Sequence, residues 1–354
     1  MKASAPRIAA LDALRGLAAL AIVVHHYWFL ARPLQATLGW VYEYGRLAVP
    51  LFYLLSGYIF FSAYAAALGE RRLDGRAFFW LRASRLYPLH LLTLLVVLGL
   101  QALIFAQTGG YFQYRHNDAV HFALNLAFLQ FSWADPLMSF NGPTWSLSIE
   151  AALYLTFFAF ARAFGAAAWP RLGFGALCLA LSAGRDGLPL SGPLNAFFAE
   201  GLGCFFLGGA LQLTEGCGER RKLALGVALL ALGAGLFWLT GGRRETTPVL
   251  FAGLALTALA GPGMSRLLAF RPLVWLGDIS YSTYLWHFPV QLALVAFSAA
   301  ALPLPFASPA LLALYVGLVL AVSTLSYRYF EAPARAAIRR WALARRPAPA
   351  LRPG

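Results

Sequence analysis

Long apolar runs alternate along this chain with short connections rich in Arg, Gly and Pro. A helix of about 20 apolar residues crosses a hydrocarbon layer of roughly 30 Å. Ten runs are candidates for such spans: Ile8 to Leu30, Leu47 to Leu68, Leu86 to Gln107, Trp145 to Ala161, Leu172 to Ala183, Leu194 to Leu213, Leu223 to Leu239, Thr246 to Gly261, Ile279 to Ala300 and Ser308 to Tyr329. The fifth is short and Gly-rich. The run from Val120 to Phe131 is too short to span and carries His121 and Asn125, so it reads as an interfacial or re-entrant helix. The pattern predicts an all-α integral membrane protein of about ten transmembrane helices. On this reading residues 1–333 form the membrane domain, and 334–354 form a basic, Pro-rich cytoplasmic tail with little structure.

Composition sharpens this picture. The 354 residues are 60% hydrophobic and only 12% charged, where soluble domains carry about a quarter charged residues. A soluble globular fold and a disordered chain are both excluded. The formal charge of +14 either attracts a polyanion or encodes orientation. The loops decide. With the N-terminus in the cytoplasm, Arg71, Arg72, Arg76, Arg82, Arg85, Arg220, Arg221, Lys222 and the arginines of the tail all fall on the inner side. Only Arg32, Arg115, Arg185, Arg243 and Arg244 fall in outer loops. That bias places both termini in the cytoplasm. Charges dispersed over many segments argue against nucleic-acid binding. The first run leads into His25, His26, Tyr27 and Trp28 with no small-x-small site behind it, so no cleavable signal peptide is expected. Three cysteines, Cys178, Cys204 and Cys217, give neither a disulfide framework nor zinc spacing, and no metal site is expected.

A charged side chain inside a span costs about 2.5–3.5 kcal/mol on insertion scales, so each one needs a reason. The first span carries Asp12, Arg15, His25 and His26. Arg15 and His26 lie on one helical face, roughly 16 Å apart along the axis. Asp12 suits an ion pair with Arg15, either structural or functional. His25 points about 100° away and could be interfacial. Arg82 and Arg85 share a face at the inner entrance of the third span; their planar forks suit phosphates, whether of a ligand or of lipid headgroups. Glu150 follows Gly142-Pro143-Thr144-Trp145 at the outer start of the fourth span. It is expected at the depth of His26, as an acid in the capping region or as a partner of the imidazole. His287 sits in the ninth span two residues before Pro289, as a core histidine or as a cavity-lining one. Glu331, at the inner end of the last span, reads as structural.

In this order these blocks resemble the membrane-bound acyltransferase 3 family. The carrying residues are Leu11-Asp-Ala-Leu-Arg15 through His26, Val49-Pro-Leu-Phe-Tyr-Leu-Leu-Ser56-Gly57, and Arg82-Ala-Ser-Arg85-Leu-Tyr-Pro88. They continue in Trp145-Ser-Leu-Ser148-Ile-Glu150, Ile279-Ser-Tyr-Ser-Thr-Tyr284-Leu-Trp-His287-Phe-Pro289 and Tyr329-Phe-Glu331-Ala-Pro333. Ala48 and Pro50 stand where the family often has Gly and a polar residue. The family O-acylates O-antigens, peptidoglycan, rhizobial signals and macrolides. The resemblance implies a multi-pass bacterial inner-membrane enzyme with no tightly bound cofactor. It would take an acyl group, most often acetyl, from cytoplasmic acyl-CoA and pass it to a glycan or lipid-linked saccharide acceptor. Arg82 and Arg85 would hold the donor phosphates and His26 would be general base. Glu150 would orient His26, and Arg15 would steady the donor or the developing charge. Asp12, Ser56, Trp145, Ser148, Tyr284 and His287 would line a shared cavity with membrane lipids around it. Some members carry a further extracytoplasmic hydrolase-like domain; this chain is expected to deliver the acyl group by its membrane domain alone. A transporter or flippase of a lipid-linked glycan is the competing class, because buried Arg, Glu and His also serve proton relays.

Overall fold

The computed structural model describes residues 8–131, 137–183 and 196–344. Among the described residues the chain is entirely helical. Sixteen helices follow in order: α1 (Ala9–His26), α2 (Gln35–Tyr44), α3 (Ala48–Phe60), α4 (Ala66–Gly69), α5 (Gly75–Thr108), α6 (Ala119–Leu126), α7 (Trp145–Phe164), α8 (Ala168–Ala183), α9 (Ala196–Gln212), α10 (Glu219–Leu239), α11 (Thr247–Ala260), α12 (Pro262–Leu268), α13 (Arg271–Asp278), α14 (Ser280–Ala300), α15 (Pro309–Ser326) and α16 (Ala332–Ala344). Single π turns join α3 to α4 at Phe61–Ala65 and α15 to α16 at Tyr327–Glu331.

All ten expected segments are helical where described. Among the described residues, 7 helices are long and apolar enough to cross a membrane, or 8 if the bent pair α11–α12 counts as one span. Two further helices explain the difference from ten. α8 has 16 residues, which reach only about 24 Å. α14 is 21 residues long, but its first half is polar, and those polar residues are buried against other helices. The run expected from Thr246 to Gly261 ends in a 90° bend into α12. The run from Val120 to Phe131 yields only α6, capped by the Asp118 carboxylate on the His121 N–H at 3.0 Å. The tail differs from expectation. Residues 332–344 form α16, while 345–354 lie outside the described residues.

Apolar side chains cover the outside of the bundle, and polar ones are held among the buried apolar residues of its core. Leu95, Leu98, Leu103 and Phe105 of α5 and Leu225, Val227 and Leu232 of α10 are exposed. His90, Thr93, Ser282, His287 and Gln291 are buried. α1 sits at the centre, against α13, α14 and α3; α9 packs on α3, and α5 on α14 and α16. Small residues let the central helices touch backbone to backbone. A Cβ on Gly57 of α3 would fall 1.8 Å from the Phe205 carbonyl oxygen of α9. Reciprocally, a Cβ on Gly208 would fall 1.9 Å from that of Leu54. Gly16 and Gly277 do the same for α1 against α13, at 2.6 Å from the Gly277 nitrogen and 2.3 Å from the Asp12 oxygen.

Candidate active site

Five helices converge on one cavity of about 540 Å3 including its mouth. α1 supplies Arg15, α3 supplies Phe52, Tyr53 and Ser56, α5 supplies Arg85, α7 supplies Ser146 and Glu150, and α14 supplies Ser280, Tyr281 and Tyr284. Five expected site residues therefore meet here: Arg15, Ser56, Arg85, Glu150 and Tyr284. Asp12 stands behind Arg15, with 3.9 Å between carboxylate and guanidinium, and does not itself line the wall. Trp145 and Ser148 are not lining residues either. Trp145 packs against Phe131 and Phe197 at 5.0 and 5.5 Å between ring centroids. Ser148 is buried.

Glu150 is where the structure corrects the sequence reading. Its carboxylate accepts a hydrogen bond from the Tyr154 hydroxyl and shares the cavity with Arg15 and Arg85. It makes no hydrogen bond to His26. The reason lies in how α7 begins. Gly142–Thr144 forms a 3-10 turn and the helix proper starts at Trp145. Ser146 is then level with Tyr284, and its hydroxyl lies 2.7 Å from the Tyr284 oxygen. Glu150 falls a further turn inward, at the level of Arg15. The Tyr284 hydroxyl gives its proton to the Pro143 carbonyl, so Ser146 is the donor in its bond to Tyr284.

His26 and His287 do not line this cavity; they form a second layer packed beyond Tyr284. The His26 ring centroid is 4.9 Å from that of His287 and 5.4 Å from Phe29. The ring of His287 is in turn 5.8 Å from Tyr284. His26 Nδ1 is 3.0 Å from the Ile22 carbonyl oxygen, and His287 Nδ1 is 2.6 Å from that of Tyr284. A carbonyl only accepts, so Nδ1 carries the proton in both rings. Each neutral ring therefore presents an Nε2 lone pair, the form a general base needs. His287 Nε2 is buried without a hydrogen-bond partner. Gln291 donates to the His26 carbonyl at 2.8 Å and ties α14 to α1; Tyr315 donates to that of His287 at 3.2 Å and ties α15 to α14. His25 is buried, not interfacial. Its Nδ1 is 2.6 Å from the Tyr42 carbonyl, tying α1 to α2.

At the other end, Arg82 and Arg85 border a further cavity of about 440 Å3. Arg82 donates to the Tyr64 hydroxyl at 2.7 Å and lies 4.9 and 4.8 Å from the Phe60 and Tyr64 ring centroids. Arg85 lines both cavities and so stands between them. Arg335 and Arg339 also line this second cavity. Sequence reasoning missed these two because the tail was read as unstructured; their i, i+4 spacing in a basic segment was the available signal.

No solved structure matches the chain. Three curated relatives do. One is acyltransferase MdmB of Streptomyces mycarofaciens, 30% identical over 80% of this chain and 80% of its own length. A second is the peptidoglycan O-acetyltransferase OatA of Listeria monocytogenes, 24% identical over 93% of this chain and 56% of its own length. The third, at 27% identity over 80% of this chain, is YrhL of Bacillus subtilis, called a putative peptidoglycan O-acetyltransferase. The chain spans about half the length of these last two, 56% and 48%. The family model described as "Acyltransferase domain" matches residues 8–328, nearly the whole described chain, so the protein belongs to the acyltransferase 3 family of membrane O-acyltransferases.

Proposed function

We propose that this membrane O-acyltransferase moves an acyl group, acetyl in the simplest case, from cytoplasmic acyl-CoA to a hydroxyl of a glycan or glycolipid. It would reside in the bacterial inner membrane with both termini in the cytoplasm. The observation that carries the reading is a line of polar sites through an apolar bundle. It runs from the arginine-lined cavity, past Arg85, into the cavity of Arg15 and Glu150, and past Tyr284 to His26 and His287. A donor with charged phosphates at one end and a thioester on a long thin arm fits that line. The names of OatA and YrhL, whose acceptor is peptidoglycan, support a glycan hydroxyl as acceptor.

In this scheme Arg82 and Arg85 hold phosphates at the inner mouth. Arg15 steadies the arm as it passes. At about 16 Å along the helix from His26 it is too far to touch the reacting carbonyl. Glu150 offsets the charges of Arg15 and Arg85 within the low-dielectric cavity. The acceptor hydroxyl gives its proton to His26 Nε2 as its oxygen attacks the thioester carbonyl. The tetrahedral intermediate then collapses, the C–S bond breaks, and the thiolate leaves with the proton returned by the imidazolium. Purified protein in detergent, given labelled acetyl-CoA and a membrane glycan fraction, should label the glycan. Transfer without a sealed membrane requires an enzyme rather than a transporter. Label that appears only in sealed vesicles would sink the proposal, and mass spectrometry of the labelled product would name the acceptor.

A further inference from the structure

α16 follows the last long helix without a break other than a π turn, and it lies against the start of α5. The rings of Trp80 and Trp341 meet edge to face, 4.8 Å between centroids, and hold the two helices together. This contact sets Arg335 and Arg339 on the wall opposite Arg82 and Arg85, with Tyr64 and Ser84 between. Beneath them Glu331 is 2% exposed, takes a 2.7 Å hydrogen bond from Ser282, and lies within electrostatic reach of Arg85 and Arg335. The cavity is therefore built from two elements distant in sequence, with buried side chains fixing its floor.

Guanidinium groups gathered on one cavity repel each other, and planar forks on opposite walls suit a multiply charged phosphate. Two phosphate sources could reach this end of the bundle. A lipid headgroup offers a single phosphodiester charge. The nucleotide end of the donor offers a diphosphate and a 3′-phosphomonoester, the latter alone worth about −1.5 to −2 at pH 7. The cavity shares Arg85 with the cavity of Arg15 and Glu150. That adjacency favours a ligand whose other end extends into the bundle, as a lipid's chains would not. Resting on the donor reading above, we infer that Arg335 and Arg339 complete the donor site and read the 3′-phosphate, so that α16 sets the preference for a 3′-phosphorylated nucleotide.

Isothermal titration of the full-length protein with CoA and dephospho-CoA tests this. In wild type, CoA should bind about tenfold or more tightly than dephospho-CoA. In Arg335→Gln/Arg339→Gln that ratio should fall to about two or less, with dephospho-CoA affinity nearly unchanged. Arg335→Lys/Arg339→Lys should keep most of the preference, which guards against a merely unfolded variant. An unchanged ratio in the Gln variant, or no preference in wild type, overturns the inference while leaving the donor reading intact. Absence of any CoA binding by wild type overturns both. The same titrations in nanodiscs of phosphatidylcholine and of phosphatidylglycerol should agree. Weaker CoA binding in phosphatidylglycerol that the Gln variant relieves would assign the cavity to lipid headgroups instead.

Discussion

His26 and His287 stand ring against ring, 4.9 Å apart, each with Nδ1 turned back onto a carbonyl of its own helix. Two helices far apart in sequence thus present two imidazoles in the same tautomer, one beside the other. A proton taken up by His26 has a second base as its neighbour.

For His26 the expected outcome is loss of transfer. His26→Gln should lower kcat by about 10²–10⁴, with CoA binding and thermal unfolding unchanged. Activity within a few-fold of wild type would remove His26 from the role of base.

His25 should behave in the opposite way, although it is the adjacent residue. His25→Ala removes a buried bond to the Tyr42 carbonyl, at a cost of about 1–3 kcal/mol. The unfolding temperature should drop while kcat is largely kept at low temperature. An inactive but fully stable variant would contradict the structural role assigned here.

His287→Gln should reduce kcat more than it changes the donor KM, because His287 meets the base and not the phosphates. The pH–rate profile is the telling readout. A coupled pair titrates as a pair, so replacing one member should move the acid limb. A profile that scales down without moving would make His287 a packing residue.

The helix crossings give a stability prediction. Gly57→Ala places a methyl group 1.8 Å from the Phe205 carbonyl oxygen, a backbone atom that cannot rotate away. It should cost at least about 1–3 kcal/mol. Gly99→Ala, on the same scale, meets nothing within 4 Å and should be neutral or stabilising by up to about 1 kcal/mol. Thermal unfolding of the two purified variants checks the contrast.

A buried pair gives another. Arg244 grips Glu200 through Nε at 2.8 and 2.7 Å, and the Glu200 side chain is 4% exposed. Glu200→Ala should destabilise by about 3–5 kcal/mol, and Glu200→Leu with Arg244→Leu should recover most of that. A double variant as unstable as the single would show that the two residues act separately.

Much of this was legible from residue spacing. Arg15 and His26 share a face because 11 residues return a helix nearly to its starting azimuth; Arg15 lines the cavity, and His26 meets His287 further along. Depth was harder to read than azimuth. Glu150 shares the cavity with Arg15 and bonds to Tyr154 rather than to His26, and spacing within α7 alone carries no sign of that choice. α14 was among the expected spans, although its buried Ser, Thr, His and Gln make it less apolar than a lipid-facing helix of the same length. The arginines of α16 were hidden by composition. A basic, Pro-containing end looks unstructured until Trp341 finds Trp80 across the bundle.

The π turn at Tyr327–Glu331 makes the inner end of this protein sensitive to chain length as well as to side-chain identity. A π turn holds one residue more than the α turns around it. Deleting a single residue there would close the π turn into an α turn and leave everything after it at nearly the same azimuth. Deleting one residue between the turn and Arg335 would instead rotate Arg335 and Arg339 by about 100°, off their cavity, while every side chain of α15 stayed in place. The π turn is thus a slot that absorbs a length change, and the residues just after it have no such slot.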